Sequence, residues 1–153
     1  MLGRLNDRQI ERLLHSELVG RIGCQSKGRV YVVPVTYAYD SESVYCHSRD
    51  GLKLEMMREN PDVCFEVERI ADLANWQTVV AQGTFEELKG AAASFAMQLL
   101  VDRLEPIIIS ETGGPVHDSE ARSKPIGSDA VARVFRIKLK ERTGRFEARR
   151  IAI

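Results

Sequence analysis

The segment from Arg29 to Glu59, "RVYVVPVTYAYDSESVYCHSRDGLKLEMMRE", decides the fold prediction because its hydrophobic pattern changes once along its length. Up to Ser48 it is rich in β-branched and aromatic residues and alternates in polarity, which is typical of strands. A turn at 40–42 separates the two strands. From Leu52 the pattern is helical, and the pair Asn60-Pro61 is a stop signal. The segment therefore predicts two antiparallel strands followed directly by a short helix, Leu52 to Glu59.

The flanking sequence predicts further strands around this hairpin and two more helices. An opening helix, "LNDRQIERLLHS", carries Asn6 as its N-cap and Gln9 three residues later, as in a capping box. A long helix begins at Gly90 and is expected to end at Pro106. The glycine- and proline-rich stretch 107–128 predicts a long loop of the kind that often forms lids or interfaces. The other predicted strands are "VGRIGCQ", "DVCFEVER", "NWQTVVAQGTFEEL" and "VARVFRIKLKERTG", and "RFEARRIAI" is a candidate for a short last strand.

The connections between the strands predict a mainly β fold with inserted helices. They are too short for the crossovers that parallel strands need, so the sheet is expected to be antiparallel. Strands at hairpin spacing with helices between them favour a small barrel with helical caps, formed as one domain from residues 1–153. A Rossmann fold is excluded by this pattern and by the absence of a G-x-G-x-x-G motif.

Composition narrows the class of protein. Of 153 residues, 22 are Lys or Arg and 22 are Asp or Glu, and this balance argues against a nucleic-acid partner. No apolar run is long enough to predict a membrane span, and the first residues do not resemble a signal peptide, so a cytoplasmic location is expected. The three cysteines form no C-x-x-C pair, which predicts buried small hydrophobic residues and neither a disulfide nor a metal site.

The stretch between the second strand of the hairpin and the helix has the residues of a phosphate site. A helix N-terminus offers unpaired backbone N–H groups and the positive end of a dipole. Ser48 or Asp50 is placed to cap the helix, and Gly51 would allow a ligand to approach the backbone. Lys53 in the first turn opposes the dipole unless an anion binds there. The alternative is that Ser48 only caps the helix and Lys53 is only a solvated surface residue.

Pro34 interrupts the first strand of the hairpin and marks it as an edge or a bulge. A break in pairing there would leave the backbone groups of Val33, Val35 and Thr36 free to meet the polar edge of a flat heterocycle. The alternative is an ordinary edge strand that uses proline against aggregation. Taken together, the two features predict a site for a ring system joined to a phosphate.

At this point the sequence resembles a known family. The ordered motifs "P-V-T-Y", "H-S-x-x-G-x-K", "N-P-x-V-C-F" and "W-x-T-V-V-x-x-G" are similar to those of the FMN-binding split-barrel superfamily of pyridoxamine 5′-phosphate oxidase. Within it, the chain most resembles the branch of nitroimidazole-resistance reductases and related flavin-nucleotide-binding proteins. The resemblance implies a six-stranded antiparallel split β-barrel that forms a homodimer, with FMN bound at the subunit interface.

The resemblance also implies which residues hold the cofactor and where this chain departs from the family. Leu52 stands where the oxidase branch has a phosphate-binding arginine, and the C-terminal strand lacks the tryptophan and Arg-x-His pattern that holds pyridoxamine phosphate. Vitamin B6 oxidation is therefore not expected. The implied cofactor-binding residues are Val33, Pro34, Val35, Thr36, His47, Ser48, Gly51, Lys53 and Thr78.

The expected function is that of an FMN-dependent oxidoreductase acting on a small electron-poor substrate such as a nitroaromatic or a quinone. NAD(P)H is a candidate electron donor, and His47 is the candidate catalytic proton donor because its ordinary pKa lies near neutrality. Two alternatives stay open: a flavin carrier or sensor without its own substrate, and a split barrel that binds haem or a deazaflavin.

Overall fold

The computed structural model describes residues 1–112 and 132–149. Within these ranges the chain forms eight strands and three helices. In chain order they are β1 (Leu2–Arg4), α1 (Asp7–Ser16), β2 (Val19–Ser26), β3 (Arg29–Thr36), β4 (Ala38–Tyr39), β5 (Ser43–Ser48), α2 (Leu52–Glu59), β6 (Asp62–Asp72), β7 (Asn75–Leu88), α3 (Gly90–Thr112) and β8 (Arg133–Glu147).

All strand pairs are antiparallel and belong to one sheet with the order β3-β2-β6-β7-β8-β5-β4, while β1 pairs with the end of β8. The sheet does not close on itself, because β3 and β4 occupy its two ends. The prediction of a mainly β, antiparallel split barrel is therefore confirmed.

The pairing of β7 and β8 contains one irregularity. The register shifts between Gln82 and Gly83, which is a β-bulge. A Cβ atom at Gly83 would lie 2.5 Å from the Ile137 side chain and 2.8 Å from the Lys138 carbonyl oxygen. Only glycine permits this approach, so the residue and the bulge together let the two longest strands bend around the core.

Each helix covers a different part of the barrel. The capping box predicted for α1 is present, with Asn6 and Gln9 exchanging backbone-to-side-chain hydrogen bonds of 2.8 and 2.9 Å. The buried face of α2 consists of Leu54, Met56 and Met57. α3 lies over β5 and β8 and completes a second apolar cluster, which contains Tyr45, Leu88, Ala96 and Val134.

Four details differ from the sequence predictions. The described residues form two strands more than the six expected: β1 was not predicted, and the strand "RVYVVPVTYAYD" is divided at Tyr37 into β3 and β4. Tyr37 is buried and its hydroxyl donates to the Leu14 carbonyl oxygen at 2.6 Å, which turns the chain toward α1. The segment "RFEARRIAI" adds no separate strand in its described part, because β8 continues to Glu147.

The fourth difference is that α3 does not end at Pro106. It continues to Thr112, because a proline inside a helix removes one backbone hydrogen bond but does not prevent the next turn. The predicted loop 107–128 is therefore helical over its first residues, and its part from 113 on lies outside the described residues. No helix in the described ranges is both long and apolar enough to cross a membrane.

Candidate functional site

A cleft of about 400 Å³ lies in the gap between the edge strand β3 and the start of α2. β3 contributes two side chains from one direction, and the end of β5 with the turn into α2 contributes the rest. The lining residues are Tyr31, Val33, Ser48, Arg49, Asp50, Gly51, Leu52 and Lys53. The structure therefore brings together Val33, Ser48, Gly51 and Lys53, which were predicted from two separate features of the sequence.

The first turn of α2 has no side-chain cap. Gly51 is the N-cap residue, and no side chain bonds to the exposed N–H groups that follow it. The prediction that Ser48 or Asp50 caps this helix is wrong. The Ser48 hydroxyl instead donates to the Arg49 carbonyl oxygen at 2.8 Å, and the Asp50 carboxylate is engaged by two arginines. The uncapped N–H groups are thus left to face the cleft.

Gly51 leaves open space at the cleft wall. Its backbone is extended, with φ of 176°, so its conformation does not require glycine. A Cβ atom added there would meet no atom of the described residues within 4 Å. The chain itself therefore does not explain the glycine, and the missing side chain keeps the backbone at this end of α2 accessible.

Lys53 is half-buried, and no carboxylate of residues 1–107 or 132–149 forms an ion pair with it. Its charge nevertheless acts on its neighbours: it adds to the effect of burial in opposing protonation of His47, and it partly offsets the rise that burial causes in the pKa of the Cys46 thiol. Burial is the larger effect on Cys46 and raises its pKa to about 12, so this cysteine is an inert core residue as predicted.

Pro34 does not interrupt the ladder between β2 and β3. The two strands pair continuously from Val19 with Thr36 to Ser26 with Arg29. The Tyr37 N–H donates to the Leu18 carbonyl oxygen in the same register. Antiparallel pairs alternate between bonded and non-bonded, so odd-numbered β3 residues bond to β2 and even-numbered ones point their backbone groups outward. Pro34 occupies an outward position and costs no ladder bond.

This alternation corrects part of the prediction for the β3 backbone. Val33 and Val35 use their N–H and C=O groups in the ladder with β2, so these groups are not free. The backbone groups of Thr36 point to the open edge because of its place in this alternation, and not because pairing is broken at Pro34. Val32 has the same orientation and was not singled out. The edge of β3 is therefore polar and unpaired within the described part of the chain.

The side chains predicted along β3 divide between two environments. Val35 is buried in the core, whereas Pro34 and Thr36 are exposed on the outer face of the sheet. Thr78 on β7 lies on this same outer face, where its hydroxyl donates to a Glu66 carboxylate oxygen at 3.0 Å. Five of the predicted residues are therefore not among those that line the cleft: Pro34, Val35, Thr36, His47 and Thr78.

His47 faces away from Ser48, because successive side chains of a strand alternate. Its neighbour two positions earlier, Tyr45, packs under α3, and His47 points to the same side. Its Nδ1 atom is buried and has no hydrogen-bond partner in the described residues. Burial lowers the pKa of His47 below its ordinary value, and the positive charge of Lys53 lowers it further. Both effects favour the neutral imidazole, and the His47 side chain is not among those that line the cleft.

Four lining residues were not predicted as part of the site: Tyr31, Arg49, Asp50 and Leu52. Tyr31 precedes Val33 by two positions, so strand alternation could have placed it on the same face. Arg49 gave no such signal, because its position in the turn before α2 follows no periodic pattern.

The residues at the α2 end of the cleft fit a phosphate. They provide an uncapped helix N-terminus and a lysine without a carboxylate partner, both of which favour an anion. The β3 side offers a half-buried aromatic residue and a valine, against which a flat apolar ring could pack. The chemistry of the two sides agrees with a phosphorylated ring compound.

Comparison with known proteins identifies a family and several structures to which this chain is similar. Residues 6–146 match the model of the pyridoxamine 5′-phosphate oxidase family. A FAD-binding protein of Mesorhizobium loti has a similar structure, with a TM-score of 0.74 and 27% sequence identity over 97% of this chain and 99% of that protein. A Bacteroides thetaiotaomicron protein provisionally assigned to 5-nitroimidazole antibiotic resistance shares the fold, with a TM-score of 0.70 and 18% identity over 95% of this chain and 87% of that protein.

A curated relative from Rhizobium meliloti strain 1021, itself uncharacterised, is 36% identical over 70 residues. This match spans 46% of each chain, so it covers about half the length of that relative. The family model, in contrast, covers nearly all of the described barrel, from the N-cap of α1 to the end of β8. The chain belongs to the pyridoxamine 5′-phosphate oxidase family.

Proposed function

We propose that the protein binds FMN and works as a flavin-dependent oxidoreductase on a small electron-poor substrate such as a nitroaromatic or a quinone. The observation that carries the proposal is the cleft in which Val33 and Tyr31 face Ser48, Gly51 and Lys53. In this arrangement the FMN phosphate binds at the N-terminus of α2, and the ring lies toward β3. The FAD-binding relative and the family model support a flavin as the ligand.

The chain's own groups have distinct roles in this proposal. Bound flavin would supply hydride or single-electron transfer through its ring. Lys53 and the N–H groups at the start of α2 hold the phosphate. The outward N–H groups of Val32 and Thr36 are available to a ring edge that carries acceptors. Such donors stabilise negative charge on a reduced ring without reorganisation.

The proposed role of His47 is proton donation to the reduced substrate, and the lowered pKa defines how it can act. A neutral imidazole donates a hydrogen bond but holds no extra proton at pH 7. Burial is the larger cause of the lowered pKa, and the charge of Lys53 adds to it; an anionic phosphate bound near Lys53 would offset the second of these effects. Cofactor binding is thus expected to raise the pKa of His47 and to prepare it for proton transfer.

We further propose that the protein acts as a homodimer. The outer face of β3, β2, β6 and β7 exposes Val19, Val30, Val32 and Val80, and the ladder registers place Thr78 on this same face. A second copy packed there would cover these apolar side chains and bring Thr78 toward the cofactor of its partner.

The first test is the absorption spectrum of the purified protein and the mass of any cofactor released from it. Flavin bands and the mass of FMN are expected. A haem Soret band or the mass of a deazaflavin would contradict the flavin proposal. Reduction by NAD(P)H followed by reoxidation with a nitroimidazole is expected of an oxidoreductase, and a bound flavin that fails both steps would indicate a carrier or sensor.

The second test is the substitution Lys53→Ala. A charge-assisted phosphate contact contributes about 1.5–3 kcal/mol, so FMN affinity is expected to fall by roughly 10- to 150-fold. Flavin fluorescence quenching during titration measures this change. Lys27→Ala is the matched control, because Lys27 is exposed, pairs with Glu59 and lies outside the cleft. Equal FMN affinity in the Lys53 variant and the control would refute the phosphate site.

A further inference from the structure

The positive charges around the start of α2 are of two kinds. Arg58 binds the carboxylates of Asp50 and Glu87 at 3.0 and 2.9 Å, and Arg133 binds Asp50 at 3.2 Å. These two arginines are neutralised by carboxylates of the protein. Arg49 and Lys53 line the cleft, and neither forms an ion pair with any residue in the described ranges.

This separation of charges has a physical consequence. Asp50 also lines the cleft and would repel an anion there if its charge were free. Its two arginine partners compensate that charge and lower its pKa, with the hydrogen bond from Arg58 as the largest cause. The cleft is left with two uncompensated cations and no uncompensated carboxylate among its lining residues.

The backbone of Arg49 is also held in place at this wall. The Ser48 hydroxyl donates to its carbonyl oxygen, and the next residue, Asp50, is anchored by two arginines. The Arg49 side chain is exposed and has no partner of its own in the part of the chain that is described. The Arg49 side chain therefore extends from a backbone that is fixed beside the uncapped N–H groups of α2.

We infer that Arg49 is a second phosphate-binding residue of the cleft, acting with Lys53 on the phosphorylated tail of the flavin. The inference rests on the proposed function.

The test compares Arg49→Ala with the unsubstituted protein in titrations with FMN, FAD and riboflavin. Arg49→Ala is expected to weaken binding of a phosphorylated flavin about tenfold, the lower range for a charge-assisted contact, since the side chain is exposed. Riboflavin carries no phosphate, and its affinity is expected to be unchanged. The FMN and FAD arms identify which phosphorylated tail the residue contacts. Arg29→Ala is the matched control, because Arg29 is exposed and lies outside this cleft.

A rescue experiment separates a charge effect from a structural one. Leu52 is 37% exposed and lines the same cleft, so the double variant Arg49→Ala/Leu52→Arg is expected to regain most of the lost FMN affinity. Full FMN and FAD affinity in Arg49→Ala, or an equal loss for riboflavin, would overturn the role of Arg49 while leaving flavin binding intact. A protein that binds none of the three flavins would overturn the proposed function, and this inference with it.

Discussion

The two halves of the sheet are covered in different ways. Over β5 and β8, α3 covers the outward side chains and forms a second apolar cluster that is almost fully buried. Over β3, β2, β6 and β7, no described element covers the outer face, and Val30 and Val32 remain 72% and 60% exposed. The first half completes its burial within one chain, whereas the second offers an apolar surface of the kind that marks an interface.

The largest expected effect is a loss of stability caused by removing a buried side chain between α3 and the covered half of the sheet. Leu100 on α3 is 2% exposed, and Leu100→Ala would leave a cavity between the helix and the sheet. Substitutions of this type cost about 2–5 kcal/mol. Urea denaturation is expected to show this loss in the free energy of unfolding. A change below about 0.5 kcal/mol, the usual range for surface sites, would mean that α3 is not firmly packed there.

The next effect concerns the uncovered half. Val32→Glu places a charge on the proposed dimer face and is expected to produce a monomer by light scattering, because burying an unpaired carboxylate is unfavourable. Phe95→Lys is the matched control, since Phe95 is 56% exposed but lies on the covered half. A dimer that persists in the Val32 variant, or dissociates in the Phe95 variant, would remove the proposed face as the interface.

The smallest effect is a pH dependence at His47, which lies at the edge of the covered half. Its pKa is below 6.5 in the folded protein, so the unfolded chain binds the proton first as the pH falls. Stability is therefore expected to be constant above pH 6.5 and to decrease below it, until the folded-state pKa is reached. Urea midpoints at pH 7.5 and 5.5 measure this decrease.

The variant His47→Gln is expected to show a smaller loss between these two pH values. His15→Gln serves as control, because it removes a histidine from the exposed end of α1. An identical pH dependence in the protein with and without His47 would contradict the assignment.

Sequence reasoning succeeded where local signals decide the structure. The capping box of α1 and the bounds of α2 were predicted to the residue, because capping residues and a following Asn-Pro act locally. β1 was missed because its three residues carry no alternation, and its pairing with β8 joins Leu2 to Glu147 at the far end of the chain. Pairing over such a distance leaves no periodic signal.

In the candidate site, too, the residues placed by local patterns were predicted and those placed by side-chain contacts were not. Val33, Ser48, Gly51 and Lys53 were predicted and lie together, since strand and helix patterns determined their directions. The error about Asp50 arises from side-chain contacts: its carboxylate is bound by Arg58, near the end of α2, and by Arg133, which is 83 residues away, and these contacts compete with helix capping. The local sequence identifies Asp50 as a candidate helix cap, but it does not show which arginines bind the Asp50 carboxylate in the folded chain.

Pro34 has a consequence for what can occupy the open edge of β3. Outward N–H donors on a strand normally repeat every second residue, about 6.6 Å apart. With proline between Val32 and Thr36, the interval doubles to roughly 13 Å. A strand from another protein that paired with β3 would lack a hydrogen bond at Pro34, in the middle of its ladder. A compact molecule needs only the N–H donor on one side of Pro34. The open edge of β3 can therefore bind a small molecule but disfavours the pairing of a further strand.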